Sequence, residues 1–206
     1  MDPKLMTPVT ESVEVGSKVA SVSVYTIGHS TRSADEFSQI LLEHKIKNLA
    51  DVRSFPGSRR YPHFNQGQLA ESLPRLGMKY HHFPALGGRR RPLPNSKNTA
   101  WKNSSFRAYA DYMETESFRD GIKQLLEIAR TDRSAIMCAE AVWWRCHRGL
   151  ISDYLKAMGI EVIHVVDAKR TEAHPYTSAA RIIDGALSYE GLLLEESQGA
   201  KGGVGS

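Results

Sequence analysis

Runs of β-branched and apolar residues alternate with segments of helical period along most of this chain, and that alternation limits the folds open to it. Residues 21–27 (SVSVYTI) alternate and are β-branched, which predicts a first strand. Ser33-Ala34-Asp35-Glu36 is a capping box, and Phe37, Ile40, Leu41 and His44 follow at helical spacing, so residues 33–44 read as an amphipathic helix. Further strands are expected at residues 46–52, 78–83, 135–138 and 160–166. Helices are expected at residues 66–76, where Pro74 disturbs the last turn, and at 106–113, 117–131 and 145–158, with Gly159 as the final stop. Residues 181–189 read as a short hairpin or strand. The pattern specifies an α/β fold: a single domain, residues 21–190, with a mainly parallel sheet and helices on both faces. Residues 1–20 read as a flexible N-terminal extension and residues 191–206 as a flexible Gly-rich tail.

In an open parallel sheet, ligands bind in the crevice beyond the carboxyl ends of the strands. Gly28-His29-Ser30, Asp51 to Arg53 and Cys138 to Glu140 all fall at such ends and are expected to share one rim. Residues 134–148 (SAIMCAEAVWWRCHR) bring a thiol, a carboxylate, two indoles, a second thiol, an imidazole and a guanidinium into one loop. Few structural loops need that mixture. Two long irregular loops, 54–65 (SFPGSRRYPHFN) and 87–102, flank the rim with Arg59, Arg60 and Arg89-Arg90-Arg91. Long loops in compact domains are often functional.

The chain resembles the domain-of-unknown-function family 488 through T-I-G-H-S at residues 26–30, D-V-R-S-F-P-G-S at 51–58, C-A-E at 138–140 and C-H-R at 146–148. The resemblance spans roughly residues 24–166 and runs on to 188. It implies a compact α/β fold and an enzymatic site without naming a reaction. A weaker likeness links residues 49–53 to the early D-V-R of rhodanese-type domains, with Cys138 in the place of their sulfur-carrying cysteine. Those domains close a loop of small residues around an oxyanion, whereas Cys138 is followed by Glu140 and two tryptophans, and a nearby carboxylate raises a thiol pKa.

Glu140 is the foremost candidate for acid–base work, since Trp143 and Trp144 could desolvate its carboxylate. Asp51 offers a second carboxylate, or else a salt bridge orienting Arg53. His29 follows Gly28, where backbone can approach a ligand closely, with Ser30 beside it. Cys146-His147-Arg148 opens a helix and could set Arg148 on an anion; packed Cys and His side chains with Arg148 neutralising a carboxylate is the alternative. Cys138, Cys146, His147 and His29 are of zinc ligand types, but no C-x₂₋₄-C pair exists, so no metal or other cofactor is assigned.

A net charge of +4 permits an anionic partner. Arg59, Arg60 and the Arg89–Arg91 run could hold phosphates, and Tyr61, Phe64, Tyr80, Trp101, Trp143 and Trp144 could stack on a base or fill the gap it leaves. Core packing is the competing fate of each aromatic. The substrate-binding set expected is Gly28, Ser30, Arg53, Ser58, Arg59, Arg60, Phe64, Tyr80, Cys138, Trp143, Trp144, Cys146, His147 and Arg148, around catalytic Glu140, Asp51 and His29. These point to a nucleic-acid-directed hydrolase, most concretely a DNA base-excision N-glycosylase working by carboxylate catalysis without a metal. A cysteine-dependent sulfurtransferase or phosphatase using Cys138 is one alternative, and a non-catalytic nucleic-acid-binding module another. The partner expected is nucleic acid, with no protein partner and no membrane. Two cysteines eight residues apart and no apolar run of roughly 18 residues fit a cytoplasmic location.

Overall fold

Five of the strand-forming runs hydrogen-bond side by side in parallel, in a computed structural model that describes residues 22–191. They are β1 (Ser23–Gly28), β2 (Asn48–Asp51), β3 (Lys79–His82), β4 (Ser134–Cys138) and β5 (Glu161–Val165). The sheet order is β3-β2-β4-β1-β5, and β6 (Thr171–Ala173) adds antiparallel to β5 at one edge. β7 (Arg181–Ile183) and β8 (Ala186–Ser188) form a separate hairpin whose Asp184-Gly185 turn has positive φ at both residues, the tight connection that hairpin twist favours. The extension read at residues 1–20 and the tail beyond residue 191 lie outside the described residues.

Side-chain alternation along each strand divides the core into two layers. Tyr25, Ile27, Leu49, Ala135 and Met137 face α1 (Ala34–Glu43) and α2 (Gln66–Ser72), meeting Phe37, Ile40, Leu41 and Leu69. Val24, Ala50, Val52, Ile136, Cys138 and Val162 face the other way, onto α3 (Ser104–Met113), α4 (Glu116–Thr131) and α5 (Arg148–Ala157). The α/β sheet with helices on both faces is therefore as expected. Ser33 caps α1 by accepting the Glu36 N–H at 3.1 Å. Pro74 ends α2 in a 3₁₀ turn, Pro74–Leu76. α5 starts three residues later than its periodicity predicts, because Trp143–Arg145 makes its own 3₁₀ turn and Cys146 is extended.

The topology places a crevice between β1 and β4. The crossover leaving β1 carries α1 over one face toward β2, whereas the crossover leaving β4 carries α5 over the other face toward β5. Opposed crossovers open the sheet's carboxyl edge at that point. There Gly28 pairs with Cys138, and the ladder continues into the loops through His29 N–H to Cys138 O and Ser30 N–H to Ala139 O, both 2.9 Å. Gly28 is demanded by the chain itself and not by a ligand. A Cβ there would lie 1.8 Å from the Glu140 carbonyl oxygen.

Candidate functional site

Asp51 ends β2 fully buried, and its carboxylate is occupied. Oδ1 accepts from the Arg53 backbone N–H at 3.0 Å and Nε–H at 2.8 Å, while Oδ2 accepts from Arg53 Nη2–H and from the Tyr80 hydroxyl at 2.7 Å. Arg53 also donates to the Phe64 carbonyl at 2.7 Å, and its Nη1 lies 3.2 Å from His29 Nε2. His29 Nδ1–H donates to Ser30 O at 3.0 Å, so Nε2 is the acceptor of the Arg53 proton, and the ring stacks on Phe64 at 4.1 Å. Burial first, and then Arg53, push the His29 pKa down to about 4, in keeping with that neutral tautomer. Burial and Asp51 push the Tyr80 phenol up. These residues were expected to act on or touch substrate. Asp51 and the Phe64 carbonyl instead hold Arg53, Tyr80 bonds the same carboxylate, and His29, which accepts from Arg53, also lines the cleft that runs past Ser30 and Arg60.

Two clefts adjoin on the open side of Arg53. One, of about 310 Å³, runs past Ser54, Gly88, Arg89, Phe106, Arg145 and the Cys138–Cys146–His147 group. The other, of about 460 Å³, runs past Ser30, Ser58, Arg60 and Tyr61. Arg53, Phe55, Ala139 and Glu140 line both. The Glu140 side chain is exposed, and among the described residues it makes no ion pair. Arg60, Arg89 and Arg145 are likewise exposed and without a carboxylate partner among those residues. Ser30 turns the chain at the rim in the left-handed region, φ 52°, which costs a non-glycine residue about 1–2 kcal/mol. Ser58 shapes the second cleft by accepting the Tyr61 N–H at 3.0 Å.

At the floor of the first cleft, two thiols meet one imidazole. His147 Nε2–H donates to the Val52 carbonyl at 3.0 Å, which leaves the Nδ1 lone pair 3.6 Å from Cys146 Sγ and 3.9 Å from Cys138 Sγ. The three ligand atoms all lie within 4.8 Å of one another. A hydrogen bond from Cys138 pulls the Cys146 thiol well below its ordinary value, with His147 and Arg148 assisting. The same bond, together with burial, pushes Cys138 up. The eight-residue spacing argued against a ligand set in the sequence, and the turn Trp143–Arg145 overcomes it by folding the start of α5 back over the end of β4, with His29 left out of the group.

Arg148 lines neither of these two clefts. Buried at the start of α5, it donates to the Glu140 carbonyl at 2.7 Å and to Thr26 Oγ1 at 3.2 Å, tying the loop to β1. Neither expected role, anion binding or pairing with a carboxylate, describes it. Trp143 and Trp144 do not desolvate Glu140. Trp143 stacks on His164 at 4.5 Å, and both indoles line a separate pocket with Arg32 and Glu172. Trp101 packs on Phe106 and Tyr189. Arg90 lies 3.6 Å above the Tyr112 ring and donates to the Ala85 carbonyl, and Arg59 is exposed but lines neither cleft. Of the expected aromatics, Tyr61 lines the second cleft; the aromatic that lines both is Phe55, 72% exposed, in the D-V-R-S-F-P-G-S stretch. Its signal was a phenylalanine in a Pro/Gly loop, where no core position exists for it.

A family model described as "Domain of unknown function DUF488" matches residues 33–155. No protein of curated function and no solved structure matches the chain significantly. Among the described residues, no helix is long and apolar enough to cross a membrane.

Proposed function

This chain belongs to the DUF488 family, which carries no assigned reaction, and from that premise we propose that it is a nucleic-acid-directed hydrolase. The most concrete form is a DNA base-excision N-glycosylase acting on a modified or mismatched base. One observation carries the reading: the exposed carboxylate of Glu140, without an ion-pair partner among the described residues, in the wall common to two arginine-rimmed clefts. Clefts of this size fall at the lower end of ordinary ligand sites. Arg60, Arg89 and Arg145 supply cations for phosphates, and exposed Phe55 supplies a face for a base or a plug for its gap. A base taken out of the stack brings its glycosidic carbon to the rim. Glu140 then takes a proton from water as the oxygen bonds that carbon, and the carbon–nitrogen bond breaks with its electron pair going to the base. Arg53, held by Asp51, gives the cleft a fixed positive charge beside the departing base.

The test is incubation with labelled duplexes that each carry one modified or mismatched base, followed by alkali. Scission by the wild type and its loss in Glu140→Gln supports the reading. Tight, salt-dependent binding without scission on any duplex would replace it with a binding module.

A further inference from the structure

We propose that Cys138, Cys146 and His147 bind one zinc ion, with the fourth coordination position open to the cleft bordered by Glu140. This stands independently of the reaction proposed above. The ligand types are those of three-ligand zinc sites, two thiolates and an imidazole. Zinc–sulfur bonds of about 2.3 Å and zinc–nitrogen bonds of about 2.0–2.1 Å at tetrahedral angles set ligand atoms roughly 3.6–3.8 Å apart. Here the imidazole nitrogen lies 3.6 and 3.9 Å from the two sulfurs. Both nitrogen–sulfur spans fall near that spacing, and all three ligand atoms lie within 4.8 Å of one another.

The surroundings are those that a ligand set needs. Ligating histidines commonly donate their other ring N–H to a carbonyl or carboxylate, and His147 Nε2–H donates to Val52 O at 3.0 Å, so the Nδ1 lone pair faces the sulfurs. The ring is held on both sides. Tyr109 meets it edge-on at 5.2 Å, and a Cβ on Gly88 would lie 2.5 Å from Nδ1, so only glycine lets that loop close over it. The Arg148 backbone N–H reaches Cys146 Sγ at 3.5 Å, a contact that suits a thiolate sulfur. Two thiolates and Zn²⁺ sum to zero charge, so the buried ligand set leaves no uncompensated ionic charge of its own. All three ligands line the first cleft with Glu140, whose side chain is not a ligand. A zinc with three protein ligands keeps a water in its open position, and a carboxylate beside it can accept that water's proton.

The experiment measures metal and not turnover. Protein purified under reductant and stripped with chelator is titrated with zinc and, separately, with cobalt. One zinc per chain, a rise in melting temperature on zinc addition, and the intense thiolate-to-cobalt charge-transfer absorption are the expected results. Cys146→Ser and Cys138→Ser, checked for fold by circular dichroism, should each weaken zinc binding by more than about 100-fold, since even an outer partner of a ligand is worth 10–100-fold. Glu140→Gln should keep full zinc stoichiometry. Reduced wild type that takes up neither metal overturns the proposal, as do variants that bind like the wild type. Isolation of a Cys138–Cys146 disulfide that, once reduced, still binds no zinc would make the pair a redox couple and overturn it equally.

Discussion

Two polar assemblies meet at Arg148, built from nearly the same residue types; the histidine–aspartate one has its hydrogen-bonding capacity filled except at Arg148 Nε, and the other is left open. Behind Arg148, toward α5 and the hairpin, a buried chain runs from its guanidinium through Thr26, His164 and His174 to Asp153. Thr26 Oγ1 donates to His164 Nδ1 at 2.7 Å, His164 Nε2–H to His174 Nδ1 at 2.8 Å, and His174 Nε2–H to Asp153 at 3.1 Å. Asp153 also accepts from the Thr177 N–H and hydroxyl and from the Tyr189 hydroxyl. In front of Arg148, Glu140 and three arginines line the clefts without ion-pair partners among the described residues. A histidine–aspartate pair in a α/β sheet invites a catalytic reading, yet here it is the saturated group that holds β1, β5, α5 and the β7–β8 hairpin together. Reactive capacity lies where groups of the same kinds are left open.

The comparison can be broken first at Asp153. Asp153→Ala strands four donors in the interior and should lower the unfolding free energy by about 4 kcal/mol, read from urea denaturation. A loss below 1 kcal/mol would mean the chain is not structural. Asp51→Asn keeps the shape but weakens the charge-assisted bonds to Arg53, and should cost about 2 kcal/mol. Acid should act on the same side of the molecule. Burial depresses the His29 pKa to about 4 and that of His164 to about 3, both below the unfolded value near 6.5. The unfolded chain then binds more protons, so the stability these rings contribute is full above pH 6.5 and declines as pH falls toward 4. Stability measured across that window that stays flat, or rises toward acid, would contradict the two neutral rings. Last, replacing Arg60, Arg89 and Arg145 by Gln should leave stability within about 0.5 kcal/mol. Each such change should also flatten the salt dependence of DNA binding by about 0.9 of a log–log unit where the residue meets a phosphate.

Much of the scaffold could be read from residue order, because alternation and helical period report burial directly. Ser33–Glu36 and Pro74 marked a helix start and a helix end by chemistry that has few other uses. β6 was missed because its three residues are exposed and show no period. Which side of a rim residue is open could not be read. Asp51 and Glu140 are both carboxylates at strand ends, and only the tertiary fold supplies Arg53 and Tyr80 to the first and leaves the second without an ion-pair partner among the described residues. Asp153 was invisible for the opposite reason, since one aspartate among ISDYL looks like a solvated helix position. Its partners arrive from His174, Thr177 and Tyr189, more than twenty residues on.

The most direct test of the claim that open polar groups mark the site is alkali-revealed scission of base-modified duplexes by Glu140→Gln, run beside its urea midpoint. The account predicts a wild-type midpoint with product formation reduced by at least about 100-fold, the ordinary worth of an acid–base group. Wild-type product formation by this variant would place the chemistry elsewhere on the rim and contradict the role given to Glu140.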